Sequence, residues 1–285
     1  MISKEFILSP ETPDVRLTAY VLADSPEFRP GERRPAVVVC PGGAYVYTSD
    51  REAEPIALRF AAHGYHAFVL RYTVKQPFPA PMLDLARALQ WVRAHADEYR
   101  VDSRRIAVCG FSAGGHLTAS LGTLWDRPFL YQPLDTTPED IRPDALILGY
   151  PVVDLEQVAP GPIGDLRDGD RVVDNDYVLA MAMGSDHPTP EQMATYRAAD
   201  NVTAATPPAF IWHTAADALV PALNSLRFAA ALAEHGVPYE LHIFQDGPHG
   251  LALADETTAV GGAMVDAAAR IWFDLAVNWL KKQFR

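Results

Sequence analysis

Gly110-Phe111-Ser112-Ala113-Gly114 stands where the apolar run Ile106-Ala107-Val108-Cys109 gives way to a helical pattern. This is G-x-S-x-G in the strand-turn-helix setting that gives the motif its meaning. Small residues on either side of Ser112 permit a tight turn that lifts Oγ out of the sheet, beside the N-terminus of the next helix. A serine hydroxyl is a poor nucleophile at neutral pH, so an imidazole must take its proton as the bond forms and return it to the leaving group. His249, in the turn-forming Gly247-Pro248-His249-Gly250, is the expected base. Asp217, on the segment after the run Phe210-Ile211-Trp212, is the expected acid that fixes the tautomer of that base. Together they predict attack on an acyl carbon through a covalent intermediate, and Ser112→Ala should end turnover while leaving the fold intact.

Such attack puts negative charge on the carbonyl oxygen, and backbone amides must receive it. The amide of Ala113 opens a helix, whose dipole favours that charge. Cys40-Pro41-Gly42-Gly43-Ala44-Tyr45 follows an earlier apolar run, and its small residues let further amides face a substrate oxygen. Asp154 is a lesser rival for the acid and His213 a weak rival for the base. His63, His66, His116 and His242 are expected in structural or surface roles. No pair of histidines fits H-E-x-x-H, and the run Asp165, Asp168, Asp170, Asp174, Asp176 lacks the glycine and terminal glutamate of a calcium loop. Neither a metal nor a cofactor is expected.

These residues need a frame that brings them to one edge. After strands around Phe6-Ile7-Leu8 and Val15 to Val21, short β-rich runs at Ala36–Cys40, Ala67–Leu70, Ile106–Cys109, Ala145–Leu148, Phe210–Trp212 and Leu241–Phe244 alternate with helical patterns. The helices are expected at Glu52 to Ala62, Met82 to His95, Ala113 to Leu124, Pro221 to Glu234 and about Met264 to Lys281. The alternation predicts an α/β fold with a mostly parallel central sheet flanked by helices. Pro151 to Pro208 breaks the rhythm with an Asp-rich loop and helical pieces around Tyr177 to Met183 and Pro190 to Ala198. It reads as a small insertion after the sixth strand, a partial lid within one domain spanning residues 1–285.

The chain has 285 residues, 49% of them hydrophobic and 21% charged, the composition of a globular protein. A formal net charge of −12 repels phosphate backbones and anionic lipid, so nucleic acid is not an expected partner. Cys40 and Cys109 each end an apolar run and are expected as buried, reduced thiols. No basic segment followed by an apolar one opens the sequence, and no apolar stretch reaches the length of a membrane span, so the expectation is a cytoplasmic protein without a membrane partner.

In the order Ser112, Asp217, His249 the chain resembles the α/β-hydrolase superfamily. Within it, the chain is similar to the acetyl esterases and acetylxylan esterase-like carbohydrate esterases related to hormone-sensitive lipases. The resemblance covers nearly the whole sequence. It rests on Pro41-Gly42-Gly43-Ala44-Tyr45, Ser49-Asp50-Arg51-Glu52, Gly110 to Gly115 with His116, His213 to Pro221 with Asn224-Ser225-Leu226, and Gly247 to Gly250. It implies hydrolysis of short-chain, acetyl esters by the triad Ser112, Asp217 and His249. The substrate implied is a small ester, with an acetylated sugar or xylo-oligosaccharide as the leading candidate; the sequence leaves room for a homo-oligomer. The oxyanion amides implied are those of Gly43, Ala44 and Ala113. Ala44 stands where the family has a third glycine and needs a permissive backbone.

Tyr45 and Phe111 adjoin the oxyanion segments and are the expected substrate-binding walls. Tyr47, Trp125, Tyr150 and Trp212 are further aromatics near loop ends, for which core packing is the default role. A serine peptidase of the prolyl oligopeptidase type is disfavoured because the segment before Val37 is too short for a propeller. A non-catalytic hydrolase-fold binding protein is disfavoured because all three triad residues are present, and a fluorophosphonate probe of Ser112 separates it from the enzymes. Activity should fall as His249 protonates at acid pH; a rate flat from roughly pH 5 to 8 would argue against that base.

Overall fold

The computed structural model describes residues 1–285. Ten strands form: β1 Ile2–Ile7, β2 Arg16–Val21, β3 Arg34–Cys40, β4 His66–Arg71, β5 Val101–Phe111, β6 Ala145–Gly149, β7 Pro162–Asp168, β8 Arg171–Asp174, β9 Ala209–Thr214 and β10 Tyr239–Phe244. Eight of them make one sheet in the order β1-β2-β4-β3-β5-β6-β9-β10. The pairs β1/β2 and β2/β4 are antiparallel, and all the others are parallel.

The apolar runs are strands because both their faces are covered. Successive side chains of β3 point to opposite sides. Ala36, Val38 and Cys40 pack with Leu85 and Leu89 of the helix Ala80–Ala94 and with Leu117 and Leu121 of the helix Ser112–Leu124. Val37 and Val39 pack on the other side with Ile56 and Phe60 of the helix Glu54–Ala62 and with Trp272 and Val277 of the helix Trp272–Gln283. Both cysteines are free and buried, and burial pushes their thiols up, that of Cys40 to about 12. They sit in the core as small apolar side chains.

Register brings the carboxyl ends of the strands level: Cys40 lies opposite Gly110, Phe111 opposite Gly149, and Gly149 opposite Trp212. Ligands of open parallel sheets bind beyond that edge. The helix after β5 approaches β3 closely because it begins with glycines. A Cβ on Gly114 would stand 2.1 Å from the carbonyl oxygen of Cys40, and one on Gly110 would stand 2.1 Å from that of Gly114.

Two expectations need correction. The Asp-rich segment is not a loop: β7 and β8 pair as an antiparallel hairpin, with Asp168 opposite Arg171. Gly169, at φ +59°, opens its two-residue turn. The last helix begins at Trp272, after two short 3-10 turns, not near Met264. Asp266 accounts for the delay, because its backbone N–H donates to Ala254 and its carboxylate caps the amide of Ala269. No helix is long and apolar enough to cross a membrane.

Candidate active site

Ser112 lies at the junction of β5 and its helix with φ +51°, a left-handed conformation that is strained for any residue with a Cβ. The turn lifts its hydroxyl to 2.8 Å from Nε2 of His249, and Nδ1 of His249 lies 2.7 Å from Oδ2 of Asp217. The carboxylate fixes the proton on Nδ1, which leaves Nε2 free to accept the serine proton. Three residues up to 137 positions apart in the chain thus meet at one edge of the sheet.

Asp217 is buried, and four donors meet it. Its Oδ1 accepts the amides of Leu219 and Val220 at 3.0 and 2.9 Å, and its Oδ2 accepts both His249 and Nε2 of His213, the latter at 3.2 Å. Burial pushes this carboxyl up, but the hydrogen bonds from His213 and His249 and the pull of the His249 charge overcome it. The group is held well below the usual carboxylate range. His213 is no rival base. It is wholly buried, its Nε2 faces the carbonyl oxygen of Val220 at 2.9 Å as well, and a carbonyl can only accept. The proton is therefore on Nε2, and Nδ1 accepts from the Ser225 hydroxyl at 2.8 Å.

Asp154, the lesser rival for the acid, is turned elsewhere. It accepts from the Glu156 amide at 3.0 Å and pairs with Arg197 at 3.1 Å, with no bond to His249. His116 is buried between the Tyr45 hydroxyl and the carbonyl oxygen of Tyr196, each at 2.8 Å. His66 accepts from the Leu22 amide, and His63 and His242 bond within their own elements.

The loop after β3 has its peptide planes fixed one after another. The Pro41 carbonyl accepts from the Tyr72 hydroxyl at 2.6 Å, that of Gly42 from the Ser49 amide at 2.9 Å, and that of Gly43 from the amides of Val46 and Tyr47. In a trans peptide the N–H points opposite to the C=O. Holding the last two carbonyls therefore directs the amides of Gly43 and Ala44 the other way, and neither donates to a protein acceptor. Ala44 has the permissive backbone its role requires, at φ +54°, followed by Tyr45 at +58°. Ala113 lies in the first helical turn, where amides have no partner within the helix.

A cavity of about 340 Å³ opens over Ser112 and His249. One side is apolar and comes mostly from the segment after β6: Leu155, Ile163, Leu166 and Val178, with Leu219. The other is polar and comes from the segment after β3: Tyr47, Ser49, Arg51 and Glu52. Of the two aromatic walls expected, Phe111 does not line the cavity. It shares the sheet face of Cys109, is fully buried, and packs against Tyr150 and Trp272. Tyr45 borders the cavity, but its ring turns inward among Tyr72, Phe78 and His116 and is 1% exposed. Tyr47 is the exposed aromatic at the cleft, while Tyr150 and Trp212 are core. Arg51 and Glu52 belong to the segment Ser49-Asp50-Arg51-Glu52, whose likeness to the family is their one trace in the sequence. No cluster of three His, Cys, Asp or Glu side chains is disposed to hold a metal ion.

Comparison with known proteins supplies the family. The BD-FAE family model matches residues 26–232. The chain belongs to the BD-FAE family. Two solved structures share the fold of this family member over nearly its whole length. An acetyl ester-xyloside bifunctional hydrolase from Caldicellulosiruptor lactoaceticus is 35% identical, with a TM-score of 0.77 over 94% of this chain and 88% of that one. The carboxylesterase Cest-2923 from Lactobacillus plantarum is 32% identical, with a TM-score of 0.84 over 100% and 98%. Endo-1,4-beta-xylanase B of Butyrivibrio fibrisolvens is 34% identical over 79% of this chain, which spans 33% of that protein's length. These relations place this BD-FAE chain in the α/β-hydrolase superfamily, and it spans half or less of the length of the curated relatives it matches first.

Proposed function

We propose that this BD-FAE family member is a serine esterase that releases acetyl groups from small acetylated sugars or xylo-oligosaccharides. The observation that carries the reading is the unbroken chain from Ser112 Oγ through His249 to Asp217 at the floor of the cavity. In the first half-reaction Oγ adds to the ester carbonyl carbon while its proton passes to Nε2 of His249. The carbonyl oxygen takes up the negative charge facing the amides of Gly43, Ala44 and Ala113, each such donor contributing about 3 kcal/mol to a transition state of this kind. As the tetrahedral centre collapses, the Nε2 proton goes to the departing alcohol oxygen, leaving the acyl group on Ser112. Water then gives its proton to Nε2, adds to the same carbon and releases acetate, and Oγ recovers its proton. Asp217, kept ionised by its four donors, stabilises the imidazolium in both halves.

The sugar assignment draws on the polar side of the cleft. Tyr47 offers an exposed ring to a sugar face, and Ser49 and Arg51 offer hydrogen-bonding groups beside it. The acetyl ester-xyloside hydrolase and the xylanase among the relatives point the same way. The segment of residues 151–208, which supplies the apolar side, serves as a partial lid.

The test is acetate release from acetylated xylo-oligosaccharides by wild type and Ser112→Ala, with p-nitrophenyl acetate and octanoate alongside. Release by wild type alone supports the whole reading. Cleavage of the nitrophenyl esters alone keeps the triad and removes the sugar.

A further inference from the structure

Glu52 is 4% exposed, yet it carries a carboxylate at the edge of a cavity where the reaction builds up negative charge. On charge alone it is out of place, because like charges at close range in a poorly solvated site repel. Its bonds explain its presence. Oε2 accepts the Gly42 amide at 2.7 Å, and Oε1 accepts the Tyr150 hydroxyl at 2.6 Å. Gly42 is the residue before the two loop amides aimed at the cleft, and it is wedged between the carboxylate and the nucleophile. A Cβ there would lie 2.8 Å from Glu52 Oε2 and 3.0 Å from the Cβ of Ser112.

The second arm runs to the other half of the machinery. Tyr150 follows β6 in a strained conformation, φ +36°, and is fixed by its own amide on the Trp212 carbonyl at 2.7 Å. Burial first, and the Glu52 charge second, keep its phenol well above the usual range and so protonated. Its oxygen also accepts the Ala252 amide at 2.9 Å, on the segment that carries His249, and its ring meets the His249 imidazole edge to face at 5.1 Å. The neighbouring Arg51 adds a parallel tie, donating from Nη2 to the Gly250 carbonyl at 2.9 Å and from Nε to that of Thr258.

We propose that Glu52 is a positioning residue that sets the oxyanion loop against Ser112 through Gly42 and, through Tyr150, holds that loop at a fixed separation from the base His249. The bonds are made by the folded protein without substrate, so Glu52 contributes to the rate and not to ground-state binding. The inference rests on the reading of Ser112 as nucleophile.

Three variants grade the arms. Glu52→Leu loses both bonds and lowers kcat on p-nitrophenyl acetate by about a hundredfold. Glu52→Gln keeps an oxygen for the Gly42 amide and lowers it by about tenfold, and Tyr150→Phe, which cuts only the arm to the His249 segment, by less. KM stays within about twofold throughout. The readout that a merely structural role would not move is affinity for an alkyl trifluoromethyl ketone. Ser112 adds to its carbonyl carbon, the proton passes to His249 and the oxygen becomes a bound oxyanion. Its inhibition constant should rise in step with the loss of kcat/KM. Unchanged kcat and unchanged inhibition in folded Glu52→Leu, or in Glu52→Gln where the leucine variant does not fold, overturn the proposal. Full activity of Ser112→Ala overturns instead the reading beneath it.

Discussion

The floor of the cleft and its apolar wall are built differently. On the floor, at the ends of β3, β5, β9 and β10, the triad acid has four internal donors, and the carbonyls of three successive loop residues are each engaged. The wall, between β6 and β9, rests on a separate small apolar cluster that includes Leu155, Val173, Val178 and Met183 and reaches the floor at Val46 and Val220. Its outer ties are ion pairs near the surface, Lys75 with Asp168 and Arg197 with Glu156. Pairs of that kind contribute about 0–1 kcal/mol each. The triad and the apolar wall are therefore held by largely separate sets of interactions. His116 is a polar side chain that joins them, between the floor's Tyr45 and the wall's Tyr196.

The sharpest way to break this comparison is to exchange the two aspartates in the roles assigned to them. Asp217→Asn should lower kcat on p-nitrophenyl acetate by about a thousandfold or more, because the imidazole loses its tautomer and its counter-charge. Asp154→Asn, in the ion pairs of the wall, should stay within about threefold. Equal losses in a stopped assay of both variants would show that floor and wall are not separable.

The join at His116 predicts a stability profile. Burial pushes the imidazoles of His116 and His66 down to about 4, so the folded protein stays unprotonated where the unfolded chain takes up protons. Stability is then fully present above the ordinary histidine range and is lost as pH falls toward about 4, by on the order of a few kcal/mol. Urea unfolding at pH 7, 6, 5 and 4 should show this slope in wild type and a shallower one in His116→Gln, which keeps only the His66 share. An unchanged slope would remove His116 as a titrating join.

A smaller effect should come from the wall itself. Val178→Phe narrows the apolar side and should lower the kcat/KM ratio of p-nitrophenyl octanoate to acetate by about tenfold, with the acetate rate within about twofold of wild type. A parallel loss on both esters would mean that the wall reaches the chemistry.

The contrast also governs what could be read from the sequence. Ser112, Asp217 and His249 were legible because each needs an unusual backbone setting, a glycine-bracketed turn or a loop just past a strand, and those settings are local. The parallel sheet was legible because two-sided burial demands continuous apolar runs. Side-chain direction at the end of a strand was harder. Phe111 sits two residues after Cys109 and so shares its face, a parity that already points away from the cleft. The hairpin in the wall gives no apolar run to read although Asp168-Gly169-Asp170 is a turn signal, because its strands are polar and largely exposed. Glu52 was invisible as a positioning group, since its partners Gly42 and Tyr150 lie 10 and 98 residues away. The late start of the last helix depends on one aspartate capping a turn, which periodicity does not register.

The two glycines that let the helix after β5 rest on the carbonyl of Cys40 divide the chain into parts of unequal evolutionary freedom. With no side chain between helix and strand, nucleophile and oxyanion loop are packed as one block. No neighbouring substitution could make room for a methyl group whose nearest obstacle is main chain. The segment from Pro151 to Pro208 leaves and rejoins the sheet between two adjacent strands and can be lengthened, shortened or exchanged without disturbing their pairing. Changes confined to the outer part of that crossover, beyond the Val152 amide that meets the Ser112 carbonyl, would reshape the apolar wall while the sheet edge keeps its register.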